Sequence, residues 1–170
     1  GGGAVVAAMA RNMIERFVLG SQVTAPQVLW RRLVSSLNRL GRGPGYIAVA
    51  AIDVAAWDLH AKSLGVPLCV ALGGEPKAVP VYGSGGFGPT QEPGEAVLQA
   101  TRYVERGCQA VKLRFSGQPS DIERLEAVVD AIPDHVRVMA DLNEKCDLLQ
   151  ATWLANECGE YNLMWLEEPL

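Results

Sequence analysis

The run Val111-Lys112-Leu113-Arg114-Phe115 places two cations at i and i+2 within a segment that otherwise has the composition of a buried strand. Strand alternation puts Lys112 and Arg114 on one face and Val111 and Leu113 on the other. Two cations buried without partners are costly, so anions are expected at neighbouring strand ends. Asp141 and Glu167 stand at the ends of the next two β-rich runs. Together with the side-chain carbonyl of Asn143 they form a hard oxygen set that suits Mg2+ better than zinc. The set is incomplete for an ion that prefers six oxygens, so a third carboxylate is expected from a further strand. An ion-pair cluster without a catalytic role is the competing interpretation of the same spacing.

The elements that must carry these residues follow from periodicity. Residues 4–74 read as helical throughout, with one helix opened by Thr24 and Pro26, striped by Leu29, Leu33, Leu37 and Leu40, and stopped by Gly41. Tyr46–Leu64 is apolar on nearly every side of its first half and reads as a buried helix, with Asp53, Asp58 and His60 as structural groups. From Val79 onward, short β-rich runs alternate with helical ones. Strands are expected near Val79–Tyr82, Ala110–Arg114, Val136–Ala140 and Leu163–Leu166. Helices are expected over Glu95–Arg106, from a capping box at Ser120-Asp121-Ile122-Glu123, and over Asp147–Glu157. The strand starts are 31, 26 and 27 residues apart, and eight such units make a chain of roughly 220 residues, the size of a (β/α)8 barrel. The fold class is therefore α/β: a partial TIM-type (β/α) barrel of about four βα units in residues 75–170, preceded by a helical layer in residues 1–74. The mouth of such a barrel, where Lys112, Arg114, Asp141 and Glu167 converge, is where barrel enzymes keep their active sites. The last run meets Leu170 without a covering helix, so a truncated barrel with an open edge is expected, and a homo-oligomer with it.

Composition narrows the partners. The chain has 170 residues, 49% apolar and 20% charged, with net charge −4 and no basic block, which argues against nucleic acid and against a polybasic membrane contact. No uncharged run is long enough to span a bilayer, and residues 1–10 lack a signal-peptide pattern, so a soluble cytoplasmic protein is expected. Cys69, Cys108, Cys146 and Cys158 include no Cys-x-x-Cys pair and read as small buried hydrophobes. Gly83-Ser84-Gly85-Gly86-Phe87-Gly88 matches G-x-G-x-x-G, but Pro89 to Pro93 intervene before the next helix, and Lys112 and Arg114 replace the ribose-binding acid. An NADP-binding oxidoreductase is thus the weaker alternative; these glycines read as a loop over the mouth from which Ser84 touches a ligand.

Several motifs taken together resemble one family. Ala50 to Leu59, Pro67, Leu72-Gly73-Gly74 and Val79-Pro80-Val81-Tyr82 resemble the junction of capping domain and barrel in the mandelate racemase and muconate lactonizing branch of the enolase superfamily. Val111-Lys112-Leu113-Arg114, Asp141-Leu142-Asn143 and Trp165-Leu166-Glu167-Glu168-Pro169 resemble its second-, third- and fourth-strand motifs, in order and at the family's spacing. The resemblance implies that residues 1–74 are the helical part of an α+β capping domain. It implies Asp141 and Glu167 as the first two Mg2+ ligands and Lys112 as the contact to a substrate carboxylate. Asn143 would position metal or substrate. It implies removal of the proton α to a carboxylate, from a small hydroxy-acid or sugar-acid substrate. The family's racemases have Lys-x-Lys where this chain has Arg114, and arginine stays protonated. One effective base then suits an acid-sugar dehydratase better than a racemase or epimerase. With the third ligand and the base expected from other strands, the 170-residue chain alone is expected to have negligible turnover. A non-catalytic half-barrel that self-associates is the alternative from another class.

Overall fold

The computed structural model describes residues 3–21, 25–38 and 43–170. It divides into two compact units, Gly1–Ala78 and Val79–Leu170.

The first unit is helical, as its periodicity predicts. Helix α1 (Gly3–Met13) runs into a π turn (Ile14–Val18), followed by α2 (Pro26–Ser35), α3 (Pro44–Leu64) and the short α4 (Leu68–Ala71). The proposed cap Thr24 and stop Gly41, with Leu40, lie outside the described residues. Leu29, Leu33 and Leu37 are buried together with Met13, Ala48, Val49, Ile52 and Ala56. Helix α3 ends in a Schellman motif: Gly65 has φ +67°, and the N–H groups of Gly65 and Val66 donate to the carbonyls of Lys62 and Ala61 at 3.1 Å. The expectation that Tyr46–Leu64 is a buried helix and not a surface one is corrected. Among the described residues α1, α2 and α4 pack against it, while Ile47, Val54, Leu59 and Leu64 are exposed. No helix among the described residues is long and apolar enough to cross a membrane.

The second unit is the partial parallel barrel. Strands β1 (Ala110–Arg114), β2 (Arg137–Asp141) and β3 (Leu166–Glu167) pair in parallel in that order, and α5 (Pro93–Glu105), α6 (Ser120–Ala131) and α7 (Leu148–Cys158) alternate with them. The helices cover one sheet face, where Val111, Leu113, Phe115, Val138, Ala140 and Leu142 meet Ala96, Ala100, Leu125, Val128 and Leu154. The opposite face carries Lys112, Arg114, Met139, Asp141, Trp165 and Glu167, as two-residue periodicity requires.

Three expectations need correction here. Val79–Tyr82 forms no ladder: Pro80 has no N–H to give, Val79 and Val81 are exposed, and pairing is confined to a bridge between Gly83 and Val111. The last strand is shorter and later than Leu163–Leu166, because Asn162 turns the chain with φ +49° and regular pairing starts only at Leu166. Ser120 does not open a capping box. The residue before α6 is Pro119, and Asp121 is drawn inside instead. Reciprocal boxes sit instead at α5, between Glu92 and Glu95, and at α7, between Asp147 and Gln150.

Of the cysteines, all free, only Cys158 is buried; Cys69 is exposed on the short α4, which buries nothing. Burial, with Asp121 and Glu157 adding negative charge, pushes the Cys158 thiol up to about 11.

The glycine loop is stitched to the helices. The Gly85 carbonyl accepts from Gln99 (2.9 Å) and from the Tyr103 hydroxyl (2.8 Å), and the Gly88 carbonyl from Arg124 (2.8 Å). Helix α5 begins only at Pro93, after the glycine motif and not within it as in a dinucleotide turn. A Cβ at Gly83 would lie 2.1 Å from the Tyr103 ring. Gly83→Ala is therefore expected to lower stability by about 1–3 kcal/mol through overpacking, read as a lower urea midpoint. An unchanged midpoint would mean that Tyr103 swings away freely.

Candidate metal and carboxylate site

The strand register assembles the site. Arg114 pairs with Asp141 and Asp141 with Glu167, so the three strand ends are level, and Lys112 lies two residues down on the same face. Lys112 Nζ donates to Asp141 Oδ2 at 2.9 Å and to both oxygens of Glu167 at 3.0 Å. The Lys112 and Asp141 side chains are 11% and 9% exposed, that of Glu167 35%. Asp141 Oδ1 accepts from the Asn143 backbone N–H at 3.0 Å and from the Asn143 side-chain amide. Desolvation opposes the charge on Lys112, but hydrogen bonds and charge from Asp141 and Glu167 outweigh it and raise its pKa. Desolvation likewise pushes Asp141 up, but Lys112 and Asn143 outweigh it and hold the carboxyl below its ordinary range.

The backbone at this mouth is strained. Asn143 (φ +48°), Glu144 (φ +56°) and Glu168 (φ +43°) are all left-handed, and the Glu144 N–H donates to the Glu168 carbonyl at 2.8 Å. That bond ties the segment after Asp141 to the one after Glu167.

The remaining expected site residues stand apart. Arg114 shares the face but is exposed, and its side chain forms no ion pair among the described residues. Lys112 takes both carboxylates because it sits lower, where water is scarcer. Ser84 is exposed, and its hydroxyl has no hydrogen bond among the described residues. Asn143 uses its amide nitrogen, not its carbonyl, on Asp141.

Two groups escaped the sequence reading. Trp165 Nε1 donates to Glu167 Oε2 at 3.1 Å; alternation two residues before Glu167 was the available signal. The buried pair Asp121–Arg124 lies just behind the strand ends. Asp121 accepts from the N–H groups of Ser116, Gly117 and Gln118. Arg124 donates to the carbonyls of Gly88 and Arg114. An acid and a base three apart on the apolar side of α6 was the signal there.

The donor set fits a hard cation. A positive group already sits within 3.0 Å of oxygens from both carboxylates. No cluster of three or more His, Cys, Asp or Glu side chains suited to a metal occurs among the described residues, where Asp141 and Glu167 are the carboxylates that meet at this point.

Residues 3–73 match the family described as mandelate racemase / muconate lactonizing enzyme, N-terminal domain, and residues 95–170 match enolase C-terminal domain-like. The chain belongs to the mandelate racemase and muconate lactonizing branch of the enolase superfamily. Among its enolase-superfamily relatives is an L-talarate/galactarate dehydratase of Salmonella typhimurium, 34% identical over 99% of this chain and 43% of the relative. An o-succinylbenzoate synthase of Geobacillus kaustophilus is 41% identical over 73% of this chain and 32% of the relative. The crystal structure of L-talarate dehydratase from Polaromonas sp. with Mg and L-glucarate superposes with TM-score 0.84 at 33% identity, covering 99% of this chain and 48% of that one. This enolase-superfamily chain thus spans less than half the length of each of these three relatives.

Proposed function

We propose that the chain carries the metal- and carboxylate-binding part of a Mg2+-dependent enzyme that removes the proton α to a carboxylate, an acid-sugar dehydratase with a racemase or epimerase as the near alternative. Residues 1–74 are then the helical part of the capping domain and residues 75–170 the first half of the barrel, in a cytoplasmic protein. The observation that carries this reading is the convergence of Asp141 and Glu167, level on adjacent strands, on one cationic point. The dehydratase relatives and the L-glucarate complex support the substrate class, a small hydroxy or sugar acid.

Asp141 and Glu167 would hold the metal, which when bound supplies a Lewis acid against the negative charge that grows on the substrate carboxylate. Lys112, bonded to both carboxylates in the metal-free chain, would face the same growing charge once the metal takes those oxygens. Arg114, exposed at the rim and permanently protonated, binds the substrate's carboxylate and takes no proton. Asn143 fixes the Asp141 carboxylate, and Ser84 stands on the glycine loop for a hydrogen bond to substrate. Negligible turnover is expected from the 170 residues alone, since two carboxylates leave most of a six-oxygen shell to water.

Calorimetric titration with Mg2+ tests the reading. Heat from the wild type that is absent from the Asp141→Ala, Glu167→Ala double variant is the expected result. Equal heats, or none from either protein at millimolar Mg2+, count against the metal assignment.

Self-association without catalysis is favoured by one observation. A cavity of about 550 Å3 on the site-bearing side of the second unit is walled by Val79, Val81, Met139, Met164 and Trp165, of which Val79, Val81 and Met164 are exposed. Sedimentation decides: a dimer indifferent to Mg2+ supports it, a monomer removes it.

A further inference from the structure

Of Lys112, Asp141 and Glu167, which bond to one another, Glu167 is the most exposed and has the least local support. Asp141 is fixed by two donors from Asn143, its near neighbour in sequence. Apart from Lys112, the one donor to the Glu167 side chain among the described residues is the Trp165 indole, at 3.1 Å from Oε2. Trp165 is itself braced. Its ring meets Tyr82 edge to face, with centroids 5.9 Å apart and planes at 79°. Tyr82 also lies under Lys112, whose Nζ is 5.8 Å from the ring centroid. Lys112, Glu167, Trp165 and Tyr82 therefore close a ring of contacts in which each group touches the next.

Trp165 stands one residue before β3 and two before Glu167, and its indole lies on the same side as the carboxylate it serves. A glutamate has three side-chain torsions to fix, against two for aspartate, so a second anchor restricts it more. We infer that Trp165 is a positioning residue that holds the Glu167 carboxylate in its site-facing orientation, with Tyr82 as the wall that keeps the indole in place. The inference rests on Glu167 being a functional carboxylate, and it concerns the orientation of that group whether or not a cation is bound. Hydrogen-bond donors behind a metal-binding carboxylate typically change affinity 10- to 100-fold when removed.

Two measurements on the 170-residue chain separate this inference from the functional reading. In the metal-free protein, the indole N–H resonance of Trp165 is expected to exchange slowly and to move on Glu167→Gln by more than those of Trp30, Trp57 and Trp153. Movement no larger than theirs overturns the inference. Then Trp165→Phe, which keeps a ring against Tyr82 but loses the N–H, is expected to weaken Mg2+ binding about tenfold while leaving the urea midpoint near that of the wild type. Unchanged affinity in Trp165→Phe, with binding abolished in the Asp141, Glu167 double variant, overturns the positioning role and leaves the metal site standing. No Mg2+ binding by the wild type overturns the metal site, and the indole resonance still decides the orientation claim.

Discussion

Asp121→Ala is expected to destabilise the barrel unit by about 3–5 kcal/mol. The Asp121 side chain is fully buried and serves five donors: the N–H groups of Ser116, Gly117 and Gln118, the Ser116 hydroxyl and the Arg124 guanidinium. Alanine strands a guanidinium whose side chain is 5% exposed and orphans three backbone N–H groups at once. A domain's whole stability is about 5–15 kcal/mol, so a large share of the variant is expected to be unfolded at 25 °C. Arg124→Met keeps the side chain's bulk and leaves Asp121 its backbone donors, so a smaller loss is expected. The double variant should lose clearly less than the sum of the two single ones, because the charges are in contact. Urea denaturation followed by far-UV circular dichroism measures all three, and strict additivity would show that the pair does not act as a unit.

Removal of the Lys112 ammonium gives the second large effect. Lys112→Met leaves Asp141 and Glu167 facing each other without a counter-charge. The expected loss at neutral pH is about 2–4 kcal/mol, discounted from the buried-pair range because Glu167 is partly exposed to water. The sign of the pH dependence in metal-free buffer follows from the two shifts. Asp141 is lowered, so its contribution is full above the ordinary 3.8 and is lost as pH falls through its folded value. Lys112 is raised, so its contribution is full below the ordinary 10.5 and is lost as pH climbs through its folded value. The wild type should therefore show a plateau between acid and alkaline limits, and the deficit of Lys112→Met should shrink as Asp141 protonates. Added Mg2+ should stabilise the variant more than the wild type, since the ammonium no longer competes for the same oxygens. Urea midpoints across pH, with and without Mg2+, read both effects. A variant as stable as the wild type at pH 7 and indifferent to Mg2+ would dissolve the picture of two carboxylates sharing one cation.

The parts of this molecule that were legible in sequence are those governed by local periodicity. Ala110–Arg114 is a strand end to end, and its alternation assigned Lys112 to the site face and Val111 and Leu113 to the helices. β2 differs by one residue at each end, and α5 and α7 by one or two. Tertiary geometry decided the rest. Val79-Pro80-Val81-Tyr82 has strand composition, yet a strand needs a partner and Pro80 gives it nothing to donate. The Ser-x-x-Glu spacing at Ser120 looks like a cap, but the burial of Asp121 depends on three N–H groups from the preceding turn and on Arg124 one turn later. Arg114 and Lys112 are equivalent by alternation. Depth separates them, and depth is set by where the strand ends fall relative to Asp141.

The glycine loop leaves a mark on how this sequence can change over time. Side chains at Gly83 and Gly86 would meet Tyr103 at 2.1 Å and Gln99 at 2.8 Å, and both partners are themselves engaged by the Gly85 carbonyl. A lineage that acquires alanine at residue 83 first passes through a destabilised intermediate. One that first trades Tyr103 for a smaller residue gives up a hydrogen bond and then accepts the same alanine freely. The order of two substitutions, and not only their identity, thus decides which descendants of this loop are reachable.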